Sequence, residues 1–494
     1  MDQNRRDFLK GSLWLGAAAA AAGCTSTGVE SNSTAGALRA GAEFAGVPTG
    51  LGLSGMGMMT TYHDKPIKNL RVGVVGLGRG GAGVEGFTYV PGGYVSAICD
   101  INAARRNHRL AWLKAKKAPT PKVYGDKGPE DWKRMCEDPD VDLIYNATPW
   151  ELHVPIALYA MEHGKHVVTE VPSAFTVEEC WKLVETSERT KRHCMQLENC
   201  CYGESEMLAF NMVHQGLLGT ISHGEGAYIH DLRGYNYAKW NEEKGNGGYW
   251  NYWRLRHNAV HGGNQYPTHG LCPICMDMDI NRGDCFDFLV SVDSLQAGFL
   301  ETGARFKGKS AEDEWRRNLK VKMADMNTTI IRTVKGRTIM VQHNVTGPRP
   351  YSRINHISGT KGILQDYPLR IALETELGKG THAYNDKETA ELREKYKHPL
   401  WKTAGEYAKI HGGHGGMDFL MLLRLAWCLQ MGLPIDMNVY DLATWCSLNE
   451  LTEISADNRG RSVDVPDFTR GAWKTQKPFG FDDVDLVKMD IKAS

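Results

Sequence analysis

The sequence predicts an α/β protein: an N-terminal doubly wound parallel sheet, then an α+β domain built on an open-faced sheet. Three observations carry this. An apolar run, Val72-Gly73-Val74-Val75, reads as a buried parallel strand and runs into Gly76-Leu77-Gly78-Arg79-Gly80-Gly81, a G-x-G-x-x-G turn through Gly76, Gly78 and Gly81. A second strand, Tyr94 to Cys99, ends in Asp100, nineteen residues after Gly81. Strands and helices then alternate to about residue 199, where the alternation stops.

The glycine spacing has a specific chemistry. The first glycine makes a tight turn, the second lets backbone approach a pyrophosphate, and the third lets helix pack close to strand. The following helix N-terminus offers free N–H groups to the phosphates. Asp100 stands where a ribose 2′-hydroxyl partner belongs, and a carboxylate there suits NAD and repels the 2′-phosphate of NADP. In a chain with 54 glycines the turn alone is weak. Strand, turn and acid together point to a Rossmann nucleotide site.

The 494 residues suffice for about two or three domains. Formal net charge is zero, so the basic footprint of a nucleic-acid binder is missing. No run approaches the roughly 20 apolar residues of a membrane-spanning helix. The 12 cysteines form no disulfide framework. Cys272 and Cys275 make one C-x-x-C near His269, which leaves zinc open, but buried thiols acting as small apolar residues are the simpler reading and no metal is expected.

The N-terminus carries an address. Arg5-Arg6-Asp7-Phe8-Leu9-Lys10 precedes a short alanine-rich apolar segment, Leu13 to Ala22, and then Ala22-Gly23-Cys24. This resembles a bacterial twin-arginine signal ending in a lipobox, with Cys24 as the lipid anchor; an ordinary cleavage site is the other reading. The expectation is a signal over 1–24, a flexible Gly/Ser/Thr/Ala linker over 25–67, a nucleotide domain over 68–199 and a second domain over 200–494, placed in the periplasm or cell envelope. A folded enzyme exported with its nucleotide is best served by a reaction that regenerates the cofactor each turnover.

Within the first domain, Asn102 to Lys117 reads as a helix ended by Pro119 and Pro121, and Asp131 to Glu137 as a short helix. Strand Val141 to Ala147 leads into Thr148-Pro149-Trp150-Glu151-Leu152-His153, a loop that should face the nucleotide. Helix Val154 to His163, strand His166 to Thr169, helix Val177 to Lys191 and strand Cys194 to Leu197 follow. Glu170-Val171-Pro172 and Glu198-Asn199 lie at two of the strand ends.

The second domain opens with helix Glu204 to Gln215 and strand Ile221 to His230. Hairpins are expected within Asn327 to Val345 and Ile354 to Gln365. Amphipathic helices Met417 to Gln430 and Val439 to Asp457 should cover one sheet face, leaving the other for substrate or a partner subunit in a homo-oligomer. Tyr249 to Asn258 and Gly262 to Gly270 mix aromatic rings with Arg, Asn and His. That mixture suits a sugar, whose C–H faces stack on rings, and it equally suits an aromatic packing cluster.

The turn, Asp100, the ATPWELH loop and the strand ending in E-x-P resemble the glucose–fructose oxidoreductase/inositol dehydrogenase (Gfo/Idh/MocA) family, a Rossmann domain followed by an open-faced sheet domain. Most members carry Glu-Lys-Pro, and Val171 replaces the lysine that assists proton movement. Tyr252-Trp253-Arg254-Leu255-Arg256-His257-Asn258, Gln265 to Gly270, Gly413 to Asp418 and Val463 to Phe468 resemble glycoside hydrolase family 109, NAD-dependent α-N-acetylgalactosaminidases, over about Leu70 to Phe468. The resemblance implies that Gly78, Arg79, Asp100, Pro149, Trp150, Glu151, Leu152, Glu170, Val171, Asn199 and Tyr266 contact NAD. It implies that Tyr228, Arg254, Tyr266, Pro267, Thr268, His269 and Tyr351 contact the sugar. His269 takes the position of the family's catalytic histidine, and Tyr266 is a candidate to polarise the C3 oxygen.

The implied reaction removes a terminal α-linked N-acetylgalactosamine by oxidation at C3, elimination across C1–C2, water addition and re-reduction, without net use of NAD. A sugar oxidoreductase that releases an oxidised product is the alternative, and a non-catalytic sugar-binding lipoprotein is a third reading.

Overall fold

The computed structural model describes residues 57–376 and 383–481. Its first sheet is built from β1 (Leu70–Val75), β2 (Gly93–Cys99), β3 (Lys122–Tyr124), β4 (Leu143–Asn146), β5 (His166–Thr169) and β6 (Cys194–Gln196). All pairings are parallel, in the order β3-β2-β1-β4-β5-β6. Helices α1 (Gly81–Tyr89), α2 (Ala103–Ala115), α3 (Trp132–Glu137), α4 (His153–Glu162) and α5 (Val177–Thr190) connect them. Strands β4, β5 and β6 are buried at every residue, hence their unbroken apolar runs. A capping box between Thr176 and Glu179 starts α5, and Asn102 caps α2 by accepting the Arg105 N–H. The short edge strand β3 has no counterpart in the sequence reading. It spans three residues, two of them exposed, so it has almost no apolar pattern.

The sheet order reverses between β1 and β4, where a crevice opens at the strand C-termini. The chain then enters helix α6 (Glu204–His214) and a second, mixed sheet. It comprises β7 (Ile221–Ile229), β10 (Phe286–Asp293), β11 (Asn327–Thr333), β12 (Thr338–Asn344), β13 (His356–Gly359), β14 (Gly362–Gln365), β15 (Arg370–Leu373) and β16 (Val463–Asp464). A separate two-stranded hairpin pairs β8 (Trp240–Asn241) with β9 (Asn246–Gly247).

Helix α7 (Thr268–Asp277) lies directly on β7. Two glycines permit the approach. A Cβ on Gly226 would sit 2.0 Å from the Gly270 oxygen, and one on Gly270 would sit 2.1 Å from Ala227 N. The opposite face stays open, with Val292 and Ile330 exposed.

Two expectations are corrected at the C-terminal end. The region from Val439 to Asp457 is two helices, α10 (Val439–Cys446) and α11 (Leu448–Asp457), preceded by α8 (Pro399–His411) and α9 (Met417–Met431). Nor does this group cover one face of the second sheet. Only α11 packs there, on β10, whereas α9 packs on α1 and β1, and α10 on α5 and β6. Helix α9 is therefore buried almost all round instead of amphipathic.

The linker expectation over 25–67 is corrected in its last part. From Gly57 the chain is packed: Met59 is buried with its N–H 3.4 Å from the Tyr440 hydroxyl, Ile67 N–H donates to the Leu429 carbonyl, and Arg192 pairs with Asp64 at 2.7 Å. The expected signal, Cys24 and the earlier linker lie outside the described residues.

Candidate active site

The loops after β1, β4, β5 and β6 wall one side of a cleft of about 960 Å³, and the second domain walls the other. After β1, Gly76 adopts φ +83°, and a Cβ there would sit 2.4 Å from the Ala147 oxygen. Only glycine lets the β1 turn lie against the β4 turn. Helix α1 follows with no side-chain cap and no acid in its first turn, so no side chain neutralises the positive dipole end that an anion in the cleft would meet.

Asp100 is 7% exposed and ties this turn to β2: Oδ2 accepts the Leu77 N–H at 2.7 Å and Oδ1 accepts the Asn102 N–H at 2.8 Å. Facing the cleft above it is Arg105, 3.6 Å from Asp100 Oδ2. The β8–β9 hairpin reaches across from the second domain to this lip. Arg105 stacks on Trp240 at 4.5 Å and donates from Nε to the Gly245 carbonyl at 2.9 Å, while Asn102 Nδ2 donates to the Glu242 carbonyl at 2.8 Å. Gly78 and Arg79 line the cleft, whereas Gly76, Gly81 and Asp100 lie behind its wall.

The β4 and β5 loops are tied together. The His153 ring lies 2.8 Å from the Pro172 carbonyl and 2.9 Å from that of Thr148, and Trp150 Nε1 donates to the Val171 carbonyl at 3.2 Å. Pro149, Trp150, Glu170 and Val171 line the cleft; Glu151 and Leu152 do not. The Tyr145 hydroxyl donates to Glu170 at 2.9 Å. Burial pushes the Glu170 carboxyl up, with Arg79 and Tyr145 acting against it. On the third edge Asn199 Nδ2 donates to Asp418 Oδ1 at 2.5 Å, and His414 Nδ1 lies 2.8 Å from Asp418 Oδ2. That hydrogen bond raises the His414 pKa.

The second-domain wall is aromatic. The Arg254 guanidinium, 6% exposed, lies over both Trp150 (4.8 Å) and Tyr266 (4.9 Å), and NH1 donates to the Tyr249 hydroxyl at 3.1 Å. No carboxylate pairs with it among the described residues, so a buried cation faces the cleft without a counter-ion. The Tyr228 hydroxyl is 2.9 Å from His230 Nδ1, and the Tyr351 hydroxyl accepts from Arg353 at 3.0 Å. Burial pushes the Tyr266 phenol well above its ordinary value, so it stays protonated and acts as a donor.

The His269 ring stands edge-on to both Tyr228 and Tyr266, with centroids 5.2 Å and 5.0 Å away, and those two rings pack on each other at 4.5 Å. Its Nδ1 is 2.7 Å from Glu198 Oε1. Pro267 and Thr268 do not line the cleft. Pro267 is the residue before α7 and Thr268 is fully buried, so both fix the backbone that presents Tyr266 and His269. Among the described residues, Cys272 and Cys275 join no group of side chains close enough together to hold an ion, so the structure does not bring them into a zinc site.

Sequence reasoning singled out neither Glu198, Arg105, Asp418 nor the β8–β9 hairpin as site elements. Only the capping run from Asp100 to Arg105 and the glycine-flanked His414 offered a local signal.

Comparison with known proteins decides the family. Residues 202–475 match the family model "Glycosyl hydrolase 109, C-terminal domain", and residues 70–197 match "Oxidoreductase family, NAD-binding Rossmann fold". An alpha-N-acetylgalactosaminidase of Bacteroides fragilis is 45% identical over 83% of this chain and 94% of its own length. One of Shewanella oneidensis is 42% identical over 97% of this chain and 98% of its own. The chain belongs to glycosyl hydrolase family 109.

Solved structures of levoglucosan dehydrogenase, including complexes with NADH and sugars, share the fold of this family 109 protein. The complex with L-sorbose has a TM-score of 0.60 at 19% identity, over 81% of this chain and 100% of that one. The WlbA dehydrogenase of Bordetella pertussis, solved with NADH and UDP-GlcNAcA, has a TM-score of 0.54 at 15% identity, over 82% and 99%. The family 109 cleft fits NAD on its own geometry: a glycine turn that any Cβ would block, an uncapped helix N-terminus, and the Arg105–Trp240 lip beyond Asp100. NAD is its cofactor.

Proposed function

We propose that this enzyme removes terminal α-linked N-acetylgalactosamine from a glycan or glycoside by a redox-neutral elimination and hydration. The observation that carries it is the character of the second-domain wall: an imidazole, a buried uncompensated arginine and protonated tyrosines. The carboxylates lining the cleft among the described residues, Glu170 and Asp418, sit on the first-sheet side. Hydrolysis by a carboxylate pair needs both acids flanking the scissile bond, which this wall does not offer.

NAD, when bound, supplies the two-electron capacity that makes C3 of the sugar a ketone and later restores it. Arg254 and the Trp150 and Tyr266 rings hold the sugar; the C3 hydroxyl proton passes to solvent in the cleft as the hydride leaves and is returned at re-reduction, and the Tyr266 hydroxyl hydrogen-bonds the C3 ketone oxygen in between. The ketone acidifies the neighbouring C2 proton, which His269 removes as general base. The aglycone leaves C1, water adds there, and the proton returns to C2.

The test uses protein purified without added nucleotide and p-nitrophenyl α-N-acetylgalactosaminide. Nitrophenol release over many turnovers with no net rise in nicotinamide absorbance supports the reading. Stoichiometric NADH with no nitrophenol moves the assignment to a sugar oxidoreductase.

We also infer a place for the enzyme. Arg5-Arg6 with Phe8-Leu9-Lys10, followed by Cys24, support twin-arginine export and lipid anchoring at the cell envelope. Fractionation of cells expressing the R5K/R6K variant, and labelling with a fatty-acid probe, test each part. The exposed sheet face favours self-association, which light scattering measures.

A further inference from the structure

We propose that Glu198 is the positioning residue of the elimination: it holds His269 in the tautomer whose Nε2 faces the sugar and stabilises the imidazolium formed there. This rests on the reaction proposed above.

Glu198 lies just past β6, on the first sheet, whereas His269 begins α7 on the second. The carboxylate is completely buried. Its Oε1 accepts the Cys200 N–H at 3.2 Å and is 2.7 Å from His269 Nδ1. Oε2 makes no hydrogen bond of good geometry among the described residues. A buried carboxylate so sparsely satisfied is costly, and such groups persist where they serve a purpose. Burial pushes the Glu198 carboxyl up, but the facing His269 ring, the Thr268 hydroxyl and the Cys200 N–H outweigh this and hold it below its ordinary value. It is therefore an anion, which can only accept. In the neutral ring that acts as base, the hydrogen shared with Glu198 therefore sits on Nδ1, leaving the Nε2 lone pair free.

Nothing competes for Nε2: no partner for it is recorded among the described residues, and the ring lines the cleft. Tyr228 and Tyr266, packed together 4.5 Å apart, both meet the ring edge-on, and the Nδ1 contact with Glu198 fixes which nitrogen is turned away from the cleft. In the elimination, Nε2 takes the C2 proton. The C2–H electron pair becomes the C1–C2 π bond, and the C1–O bond breaks with its pair leaving on the aglycone oxygen. The site gains one positive charge, on His269, directly against the Glu198 anion. The aglycone oxygen gains one proton overall, equal to the one taken from C2.

The experiment compares wild type with Glu198→Gln and Glu198→Asp on substrate deuterated at C2. Two readouts are separated: loss of deuterium to solvent, and the single-turnover nicotinamide absorbance that reports oxidation at C3. Bound NAD and thermal midpoint are measured on each protein as purified. Expected for Glu198→Gln is a fall of about 100-fold or more in deuterium loss. Its nicotinamide signal and NAD content stay near wild type, and Glu198→Asp recovers part of the exchange. Equal loss of both readouts, or exchange at the wild-type rate, overturns the assignment. A wild type that releases nitrophenol yet keeps its C2 deuterium overturns the elimination itself, and this role with it.

Discussion

Gly270→Ala is the sharpest test of how the two layers of the second domain set the chemistry. The residue directly follows His269 and faces β7 two residues before Tyr228. A methyl group on Gly270 would lie 2.1 Å from Ala227 N and 2.7 Å from the Gly226 carbonyl carbon. Ordinary non-bonded contact needs about 3.5 Å. Both obstacles are backbone, so no side chain can swing away, and α7 must retreat by more than about 1 Å. Overpacking of this kind typically costs about 1–3 kcal/mol, which a protein of this size survives. A misplacement of about 1 Å at a reacting group costs roughly 100-fold in rate. The variant should therefore fold, retain NAD and lose roughly two orders of magnitude in kcat, read by nitrophenol release beside circular dichroism and a thermal melt. Gly226→Ala should behave alike, because its methyl would strike the Gly270 oxygen at 2.0 Å. A Gly270→Ala enzyme with wild-type kcat would refute the claim that this contact places His269.

Three further outcomes are expected. His269→Gln should lower kcat by about 10²- to 10⁴-fold while the protein still purifies with NAD, measured by turnover and by nucleotide content. Trp240→Ala or Arg105→Ala should speed loss of NAD on repeated desalting, because each opens the lip where the hairpin meets α2; retention equal to wild type would show the contact is idle. The raised His414 pKa has a definite sign. Its stabilising pairing with Asp418 is fully present below the unfolded value of about 6.5 and is lost as pH climbs through the higher folded value, so thermal stability should fall there. His414→Gln should lack that alkaline fall in a pH series of melts.

Much of the first sheet was legible because its signals are local. Gly76, Gly78 and Asp100 announce themselves by spacing, and β4 to β6 by unbroken apolar runs. What escaped was whatever depends on distant partners. Glu198 and His269 are 71 positions apart, and Asn102 and Glu242 are 140 apart. Neither pair leaves a periodic trace. Helix α9 departs from expectation for the same reason: it is buried on nearly every side because α8 and the first sheet both cover it, and periodicity cannot reveal a second covering layer. Aromatic composition alone could not separate a sugar platform from a core around Tyr252 to Tyr266. What the structure adds is a buried guanidinium, Arg254, lying over both Trp150 and Tyr266 within that cluster.

The return of α9 and α10 to the first sheet has a consequence for how this chain can be taken apart. The two family models meet near residue 200, which invites expression of the nucleotide half alone. Such a fragment would leave α1, β1, α5 and β6 without the helices that cover them, exposing apolar surface that water would punish. The N-terminal half is thus completed by helices that emerge long after it during synthesis. The nucleotide site should become competent only after α9 and α10 have emerged and docked, making cofactor capture a late event that reports their arrival.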